Sequence, residues 1–430
     1  MKKLIYPLFS IFISYTSCSQ TTGNHVVNGP LTDKNQNSVV QWRGPNRDGS
    51  YSETGLLTKW ADSGPKLIWT TKGIGSGYAS VIIADNSIFT TGLFDNKEYL
   101  VALDLNGNLK WKKEFGRLWE ESFPESRCTP LFDSGKLYVV SGAGDIACFE
   151  ASNGNKVWGY DASGKFGTRF GEWGISESLM TVDNKLIFTP CGNKTTVVAL
   201  DKNTGETIWK SEPLNDKNAY SSPILVERGG KKIIINISGN YMFGVNSDDG
   251  KMLWKHNISQ YSGADNGDIN CNTPLYYDGC IFITSGYDDT GLIFNLAEDG
   301  NSVSLKWKNS TLDTHHGNVV LVNGYIYGSN WINNGNGNWV CVDWNTGQTM
   351  YETKWKNKGS IITDNGLLYC YEEKSGYLGL VKANPKSFDV LSSFKISNGN
   401  GPHWSHPVIC DGRLYVRHSD YLMVYDLKTQ

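Results

Sequence analysis

The sequence predicts an all-β fold, an eight-bladed β-propeller with four-stranded blades, on the basis of two repeating patterns and the composition. Seven tryptophans recur at gaps of 42 to 53 residues: Trp69, Trp111, Trp158, Trp209, Trp254, Trp307 and Trp355. Eight two-residue turn signals recur at gaps of 42 to 49 residues, starting at Asp85, Ser134, Asp183, Gly229, Asp278, Asn323, Asn365 and Asp411. The 430 residues also include 47 glycines and 22 tyrosines, which is typical of a turn-rich, aromatic-rich chain.

Each repeat has the pattern of four short strands. A turn signal lies between two runs of β-branched and aromatic residues, such as 79–83 and 87–91, and this predicts a β-hairpin. A third apolar run follows, as in 197–201, and then a glycine turn and a last strand that carries the tryptophan, as in 206–210. The repeats begin near Tyr78, Arg127, Ile175, Tyr220, Asn272, His316, Gly359 and Trp404. Helical repeats of similar length need apolar residues at 3.6-residue spacing, a pattern that these segments do not show.

The two ends of the repeat array predict a closed ring. The eighth repeat has three strands and ends with the run 422–427, whereas 66–70 has the pattern of a tryptophan strand without a hairpin before it. We expect this N-terminal strand to complete the last blade and close the ring, because closure of this kind buries both edges of the terminal sheets. The propeller therefore spans residues 66–430, and residues 19–65 form a tether and an N-terminal extension.

The first eighteen residues have the pattern of an export signal. Two lysines follow Met1, the apolar run 4–13 is too short to span a bilayer, and small residues precede Cys18. This end resembles the lipobox of bacterial lipoproteins, although Tyr15 stands where an aliphatic residue is usual. The resemblance implies lipidation of Cys18 and a periplasmic or cell-surface protein anchored to the outer membrane. A plain secretory signal that is cut near Cys18 is the alternative.

Charge and cysteine patterns exclude several function classes. The 40 basic and 43 acidic residues give a net charge of −3, and without a basic tract we expect no nucleic-acid partner. The sequence contains no CxxC motif, no CxxCH haem motif and no Cys-Cys dipeptide, so cysteine-bound metal or haem is not expected. We expect most cysteines to be small buried residues. We also expect the protein to be a monomer.

The turn motifs add a family resemblance. The segment 199–209 resembles the tryptophan-docking repeat of propellers of the pyrroloquinoline quinone (PQQ) type, with further copies at 244–254, 148–158 and 102–111. Segments 41–49 and 403–407 resemble the ends of exported bacterial PQQ-like propeller proteins. The repeat is shared by PQQ-dependent alcohol dehydrogenases and by the assembly lipoprotein BamB. The resemblance therefore implies the fold and leaves the activity open.

Candidate binding residues lie where the chain enters the innermost strand of each predicted blade, because these strands line a propeller channel. They are Tyr78, Arg127, Arg169, Glu172, Trp173, Tyr220, Asn272, His315, His316, Lys358, His403, Trp404 and His406. Cations, imidazoles and aromatic rings together suit a polar, sugar-like ligand, while ordered water in the channel is the simpler interpretation. Strand alternation places at most one imidazole of each histidine pair on the axis, so we expect no histidine metal site.

These features favour a binding or assembly module of the cell envelope, with a small polar ligand, a glycan or an envelope protein as partner. The alternative is a dehydrogenase for alcohols or sugars. For that alternative the resemblance implies PQQ and calcium as cofactors, Trp173 or Trp404 beneath the quinone, and Glu172 or Glu177 on calcium. A third possibility is a polysaccharide lyase that uses Arg127, Tyr220 and His315. The sequence assigns no catalytic residue.

Overall fold

The computed structural model of the protein describes residues 38–262 and 268–429. The expected signal peptide and the lipidation site at Cys18 lie outside this range. The described strands form eight sheets, and each sheet contains four strands of a blade. The prediction of an eight-bladed all-β propeller is therefore confirmed. The α-helix of the described residues is short, and no helix among them has the length and apolar character needed to cross a membrane.

The blades follow one another along the chain. Blade 1 consists of β3 (Ile82–Ala84), β4 (Ser87–Phe94), β5 (Lys97–Asp104) and β6 (Leu109–Arg117), and blade 2 of β7 (Leu131–Asp133), β8 (Lys136–Val140), β9 (Asp145–Glu150) and β10 (Lys156–Asp161). Blade 3 consists of β11 (Met180–Val182), β12 (Lys185–Phe188), β13 (Val198–Asp201) and β14 (Thr207–Lys210), and blade 4 of β15 (Ile224–Arg228), β16 (Lys231–Ile237), β17 (Tyr241–Asn246) and β18 (Met252–Asn257). Blade 5 consists of β19 (Leu275–Tyr277), β20 (Cys280–Ile283), β21 (Gly291–Leu296) and β22 (Val303–Asn309), and blade 6 of β23 (Val319–Val322), β24 (Tyr325–Ser329), β25 (Trp339–Asp343) and β26 (Thr349–Thr353). Blade 7 consists of β27 (Gly359–Asp364), β28 (Leu367–Glu372), β29 (Tyr377–Lys382) and β30 (Asp389–Lys395). Blade 8 contains β31 (Val408–Cys410), β32 (Arg413–His418) and β33 (Tyr421–Asp426). A helix α1 (Ala162–Phe166) and a 3₁₀ turn (Ser259–Tyr261) lie between blades.

The N-terminal strand closes the ring as predicted. Strand β2 (Lys66–Lys72) pairs antiparallel with β33, from Lys66 opposite Asp426 to Lys72 opposite Tyr421. It is thus the outermost strand of blade 8, whose other three strands come from the C-terminal end of the chain. The first and last strands of the propeller are thus held in one sheet, so the ring has no open blade.

The fourth-strand tryptophans join neighbouring blades. The indole Nε1 of Trp209 in blade 3 donates to the Ser247 carbonyl in blade 4 at 3.1 Å. Gly250, at φ +77°, leaves room for this ring, since a Cβ there would lie 2.4 Å from it. In the same way, the Trp158 ring of blade 2 packs against Gly205 of blade 3, and its indole Nε1 donates to the Lys202 carbonyl. The glycine of each such turn therefore provides both a positive φ and space for the tryptophan of the preceding blade.

A chain of hydrogen bonds connects the inner strands around the axis. The backbone N–H at the start of one inner strand donates to a side-chain oxygen of the following blade. At distances of 2.9–3.2 Å these bonds join Ser80 to Thr129, Thr129 to Ser178, Ser178 to Ser222, Ser222 to Thr273 and Thr273 to Asn318. Polar groups that approach the channel are thereby paired, as buried polar groups require.

The N-terminal extension crosses the channel. Val39 pairs with Ile83 of blade 1, and β1 (Ser50–Tyr51) pairs parallel with β27 of blade 7. Between them, the buried Arg47 donates to the carbonyls of Ser178 and Leu179 in blade 3. Residues 39–51 therefore contact blades on opposite sides of the ring and obstruct its centre. We call them the plug.

Candidate functional site

A cavity of about 380 Å³ lies on the propeller axis, and each of the eight blades contributes to its wall. The wall combines the connections that lead into the inner strands with three loops between second and third strands. The lining residues are Trp42, Tyr78, Phe123, Arg127, Trp173, Ser176, Ser178, Tyr220, Ser222, Cys271, Tyr287, His315, His316, Asn318, Asn334, Glu373, Trp404 and His406. Because Trp42 belongs to the plug, the cavity ends where the plug crosses the channel.

Aromatic rings dominate the wall. The Trp404 ring lies 4.9 Å from Tyr78, 5.4 Å from Phe123 and 4.9 Å from His316, measured between centroids. The His315 and His316 rings are also in contact, with 4.3 Å between their centroids. These contacts form an aromatic belt around one side of the cavity. Each of these rings offers a flat apolar face to the ring face of a ligand and leaves the polar edge of the ligand free for hydrogen bonds.

The structure brings eight of the thirteen sequence-predicted site residues to this cavity. They are Tyr78, Arg127, Trp173, Tyr220, His315, His316, Trp404 and His406. Their binding roles remain predictions. The repeat period located them because each residue lies just before the inner strand of its blade.

Five predicted site residues lie away from the cavity wall. Arg169 and Glu172 are exposed, and Arg169 donates to the Asn215 carbonyl. His403 is buried beside Tyr371 and stacks on His418, with 3.6 Å between ring centroids. The remaining two, Asn272 and Lys358, are buried behind lining residues and hold them in place, as described below.

Sequence reasoning missed Trp42 in the plug and the loop residues Tyr287, Asn334 and Glu373. The loop residues follow the second strands of blades 5, 6 and 7, whereas the predicted site residues lie at the entries to first strands. Every four-stranded blade presents both kinds of connection at the same end of the ring. That geometry is the signal that would have found them.

Both imidazoles of the His315–His316 pair face the cavity, which corrects the expectation from strand alternation. Residues 315–317 form a bend before β23, so the side chains need not alternate. Asn272 holds this bend: its Nδ2 donates to the Thr314 carbonyl at 2.5 Å, and its Oδ1 accepts the Asn318 N–H at 2.9 Å. Asn272 is thus a positioning residue.

Burial keeps the imidazoles at the cavity neutral. It lowers the pKa of His316 to about 3 and that of His315 well below its usual value, and Lys358 adds repulsion at both. The pKa of His406 is also well below normal because of burial and the neighbouring Arg43, whose Nη1 lies 3.0 Å from His406 Nδ1. Since arginine only donates, Nδ1 of His406 is the acceptor in that bond.

The charges at the cavity nearly cancel. Glu373 is buried, and its Oε1 lies 2.9 Å from Nζ of the equally buried Lys358. Among the described lining residues, Glu373 is the one carboxylate and Arg127 the one permanent cation. Arg127 also donates to the carbonyls of Ser122, Phe123 and Trp173, which fixes the loops on either side of it. The cavity therefore suits a neutral ligand or one with a single negative charge.

Comparison with known proteins identifies the family. The profile of the family described as outer membrane protein assembly factor BamB matches residues 96–357. The chain belongs to this BamB family. The BamB of Moranella endobia is 20% identical over 268 residues, which cover 60% of this chain and 65% of that protein. The quinoprotein alcohol dehydrogenase PedH of Pseudomonas putida is 28% identical over 182 residues, covering 39% of this chain and 29% of that enzyme. The matched segments thus span less than two thirds of these relatives.

Solved structures agree on the fold of the BamB family. The crystal structure of BamB from Moraxella catarrhalis has a TM-score of 0.62 and 12% identity, and covers 84% of this chain and 99% of that one. A europium-containing methanol dehydrogenase has a TM-score of 0.64 and 12% identity, with 89% of both chains covered. At such identities the likeness concerns the fold alone.

The cavity wall contains Trp173 and Trp404 but neither Glu172 nor Glu177, the carboxylates that the PQQ resemblance implied for calcium. Cys271 lines the cavity between two asparagines in sequence, so no vicinal disulfide can form there, and burial raises the pKa of its thiol to about 12. Glu172 is exposed, and the carboxylate of Glu177 is buried off the wall, where it accepts from the N–H of Thr189. PQQ carries three carboxyl groups, for which Arg127 is the single lining cation in the described chain.

Of the three residues considered for a lyase, Tyr220 is poorly suited to act as the base. Arg127, Tyr220 and His315 do line one cavity. However, burial raises the pKa of Tyr220 above its usual value, which disfavours the phenolate that would act as a base. The Tyr220 hydroxyl instead accepts the Trp173 N–H at 3.1 Å.

Proposed function

We propose that the protein is a binding module of the cell envelope whose axial cavity takes a small polar molecule with an apolar ring face, such as a neutral sugar or a uronate. The observation that carries this proposal is the cavity wall, in which seven aromatic side chains alternate with serine, asparagine and imidazole groups. Sugars offer C–H faces to aromatic rings and hydroxyl groups to such polar side chains. The near-neutral charge at the cavity supports a ligand of low charge.

The proposed location is the periplasm or the cell surface, with Cys18 lipidated in the outer membrane. Support comes from the N-terminal sequence pattern and from relatives described as outer membrane protein assembly factors. Membership of that family also favours a second candidate function, binding of an envelope protein. A pull-down from envelope extracts with the cavity variant Phe123→Ala as bait separates sugar binding from protein binding. A protein partner that binds on the rim is retained by this variant.

A glycan array followed by calorimetry tests the sugar-binding proposal. We expect binding of a neutral sugar or uronate with one site per chain. Phe123 lines the cavity beside Trp404 and is 47% exposed, so Phe123→Ala should weaken binding about two- to twelvefold through the lost aromatic contact. Tyr277→Ala is the matched control, since Tyr277 is 44% exposed at the end of β19 and does not line the cavity. Unchanged affinity in Phe123→Ala, or no glycan bound, contradicts the proposal.

A cofactor experiment separates this proposal from the dehydrogenase alternative. The purified protein is incubated with PQQ and calcium and then desalted. We expect no quinone absorbance to remain with the protein and no dye reduction with alcohols or sugars. Retained quinone together with turnover would overturn the binding-module proposal.

A further inference from the structure

We propose that His315, His316 and Glu373 form a binding site for a divalent transition metal ion, best matched by zinc, in the wall of the axial cavity. One ligand atom from each of the three side chains lies within 4.8 Å of the others. Two imidazoles and one carboxylate are a ligand set that zinc uses in proteins. This inference goes beyond the proposed sugar binding, which needs no metal.

Two nitrogens of the pair are available as ligands. In the described part of the chain, His315 Nδ1 and His316 Nε2 are buried and have no hydrogen-bond partner. Buried polar atoms are nearly always paired, so both atoms have an unmet requirement that a metal ion satisfies. His316 Nε2 lies 3.3 Å from Glu373 Oε2, close to the separation of about 3.4 Å between two ligands on a tetrahedral zinc.

Surrounding groups orient these ligands. His315 Nε2 lies 2.9 Å from the Tyr287 hydroxyl, and donation from Nε2–H to that oxygen leaves the lone pair on Nδ1. Asn272 fixes the backbone of the bend that carries both histidines. The Trp404 indole donates to Glu373 Oε2 at 3.3 Å. Hydrogen bonds thus orient His315 and Glu373, as in established metal sites, and Asn272 positions the backbone that carries His316.

The positive charge of Lys358 repels a bound cation and thereby affects which metal ion the site prefers. Its ammonium pairs with Glu373 Oε1 and donates to the carbonyls of Asn333 and Asn334, so it stays in place and cancels part of the carboxylate charge. Hard ions such as Ca²⁺ and Mg²⁺ depend on charged oxygen ligands and are therefore disfavoured. Zn²⁺ and Co²⁺ gain from neutral imidazoles instead. Because all three ligands line the cavity, the open coordination position faces it.

Titration of the full-length, EDTA-treated protein with Zn²⁺ or Co²⁺ alone tests the site. We expect one ion per chain, and visible Co²⁺ absorption of the kind given by tetrahedral sites. His315→Ala and His316→Ala should each weaken binding at least tenfold, and Tyr287→Phe about tenfold through the lost orientation. His256→Ala is the control, because His256 stacks on Tyr261 away from the cavity.

The outcomes distinguish the metal site from the sugar proposal, because no glycan is present. Equal affinities of the wild type, His315→Ala and His316→Ala, or the absence of binding, overturn the inference. If the histidine variants fail to fold, zinc-soaked crystals of the wild type decide. An anomalous peak between His315, His316 and Glu373 supports the site, whereas a peak elsewhere or none overturns it.

Discussion

Buried carboxyl groups at single positions link the stability of the propeller to pH. Glu177 is 3% exposed, and burial raises its pKa to about 8 despite the nearby Arg47. The folded state therefore holds this proton more tightly than the unfolded state, whose pKa is near 4.5. The stabilisation that Glu177 contributes is therefore greatest below that lower pKa and decreases as the pH rises towards 8.

We expect Glu177→Gln to flatten this pH dependence, because glutamine does not ionise and still offers an oxygen to the Thr189 N–H. Thermal melts between pH 4.5 and pH 8 measure the effect. The wild type should lose stability across this interval, and the variant should lose less. Glu206→Gln, at an exposed position, is the control and should follow the wild type. Equal slopes in Glu177→Gln and the wild type would show that this carboxyl is not the cause.

At the scale of single residues, the sequence predicted the cavity only in part. Tyr78, Trp173 and Trp404 were found because the repeat period places them before inner strands. The sequence did not predict that both His315 and His316 face the cavity. Side chains alternate in strands, whereas these two residues form a bend. The role of Glu373 depends on the folded position of Lys358, which no local pattern encodes.

At the scale of the blade, tryptophan docking depends on turn glycines, and two of them form a matched pair. A Cβ on Gly250 would lie 2.4 Å from the Trp209 ring, whereas a Cβ on Gly230 would meet no atom within 4 Å. Their φ angles are +77° and +73°, so the backbone strain of an alanine is similar at both, about 1–2 kcal/mol. The difference between the two variants therefore isolates the contact with tryptophan.

We expect Gly250→Ala to lower the free energy of unfolding by about 1–3 kcal/mol more than Gly230→Ala does, because the ring must shift to admit the methyl group. Urea unfolding followed by circular dichroism measures both. Equal losses in the two variants would mean that the glycine serves only the turn.

The blade elements themselves were predictable because their signals are local and repeated. Hairpin turns such as Asp85–Asn86 and Asp278–Gly279 adopt positive φ, as the turn signals imply. The hydrogen bonds from one inner strand to the next, such as Ser222 N–H to Thr273 Oγ1, were not predicted. They join residues about one blade apart in sequence, and single serine and threonine residues carry no sign of such pairing.

For the whole molecule, ring closure joins the first and last strands of the propeller, and the plug crosses the centre of the ring. Arg43 in the plug donates to the carbonyls of Val319 and Ile361 in blades 6 and 7, and it contacts His406 in blade 8. The sequence predicted the closure from the unpaired tryptophan strand. It did not predict the plug, because residues 39–51 have no strand pattern and their partners are distant in sequence.

We expect deletion of residues 60–72, or of residues 404–430, to abolish the cooperative thermal melt. Each deletion removes strands of blade 8 and exposes the edges of its neighbours. Calorimetry with near-ultraviolet circular dichroism measures the loss. A deletion of residues 21–36, in the expected tether, is the control and should leave the melt unchanged. An unchanged cooperative melt without residues 60–72 would contradict closure by β2.

The proposed function depends on the axial cavity as the place where the protein binds its ligand. A crystal structure of the protein with the best-binding glycan of the array tests it most directly. We expect a sugar ring in the cavity, stacked against Trp404 and within hydrogen-bond distance of polar groups in the wall. A glycan bound on the outer surface of the blades, with the cavity holding only water, would contradict it.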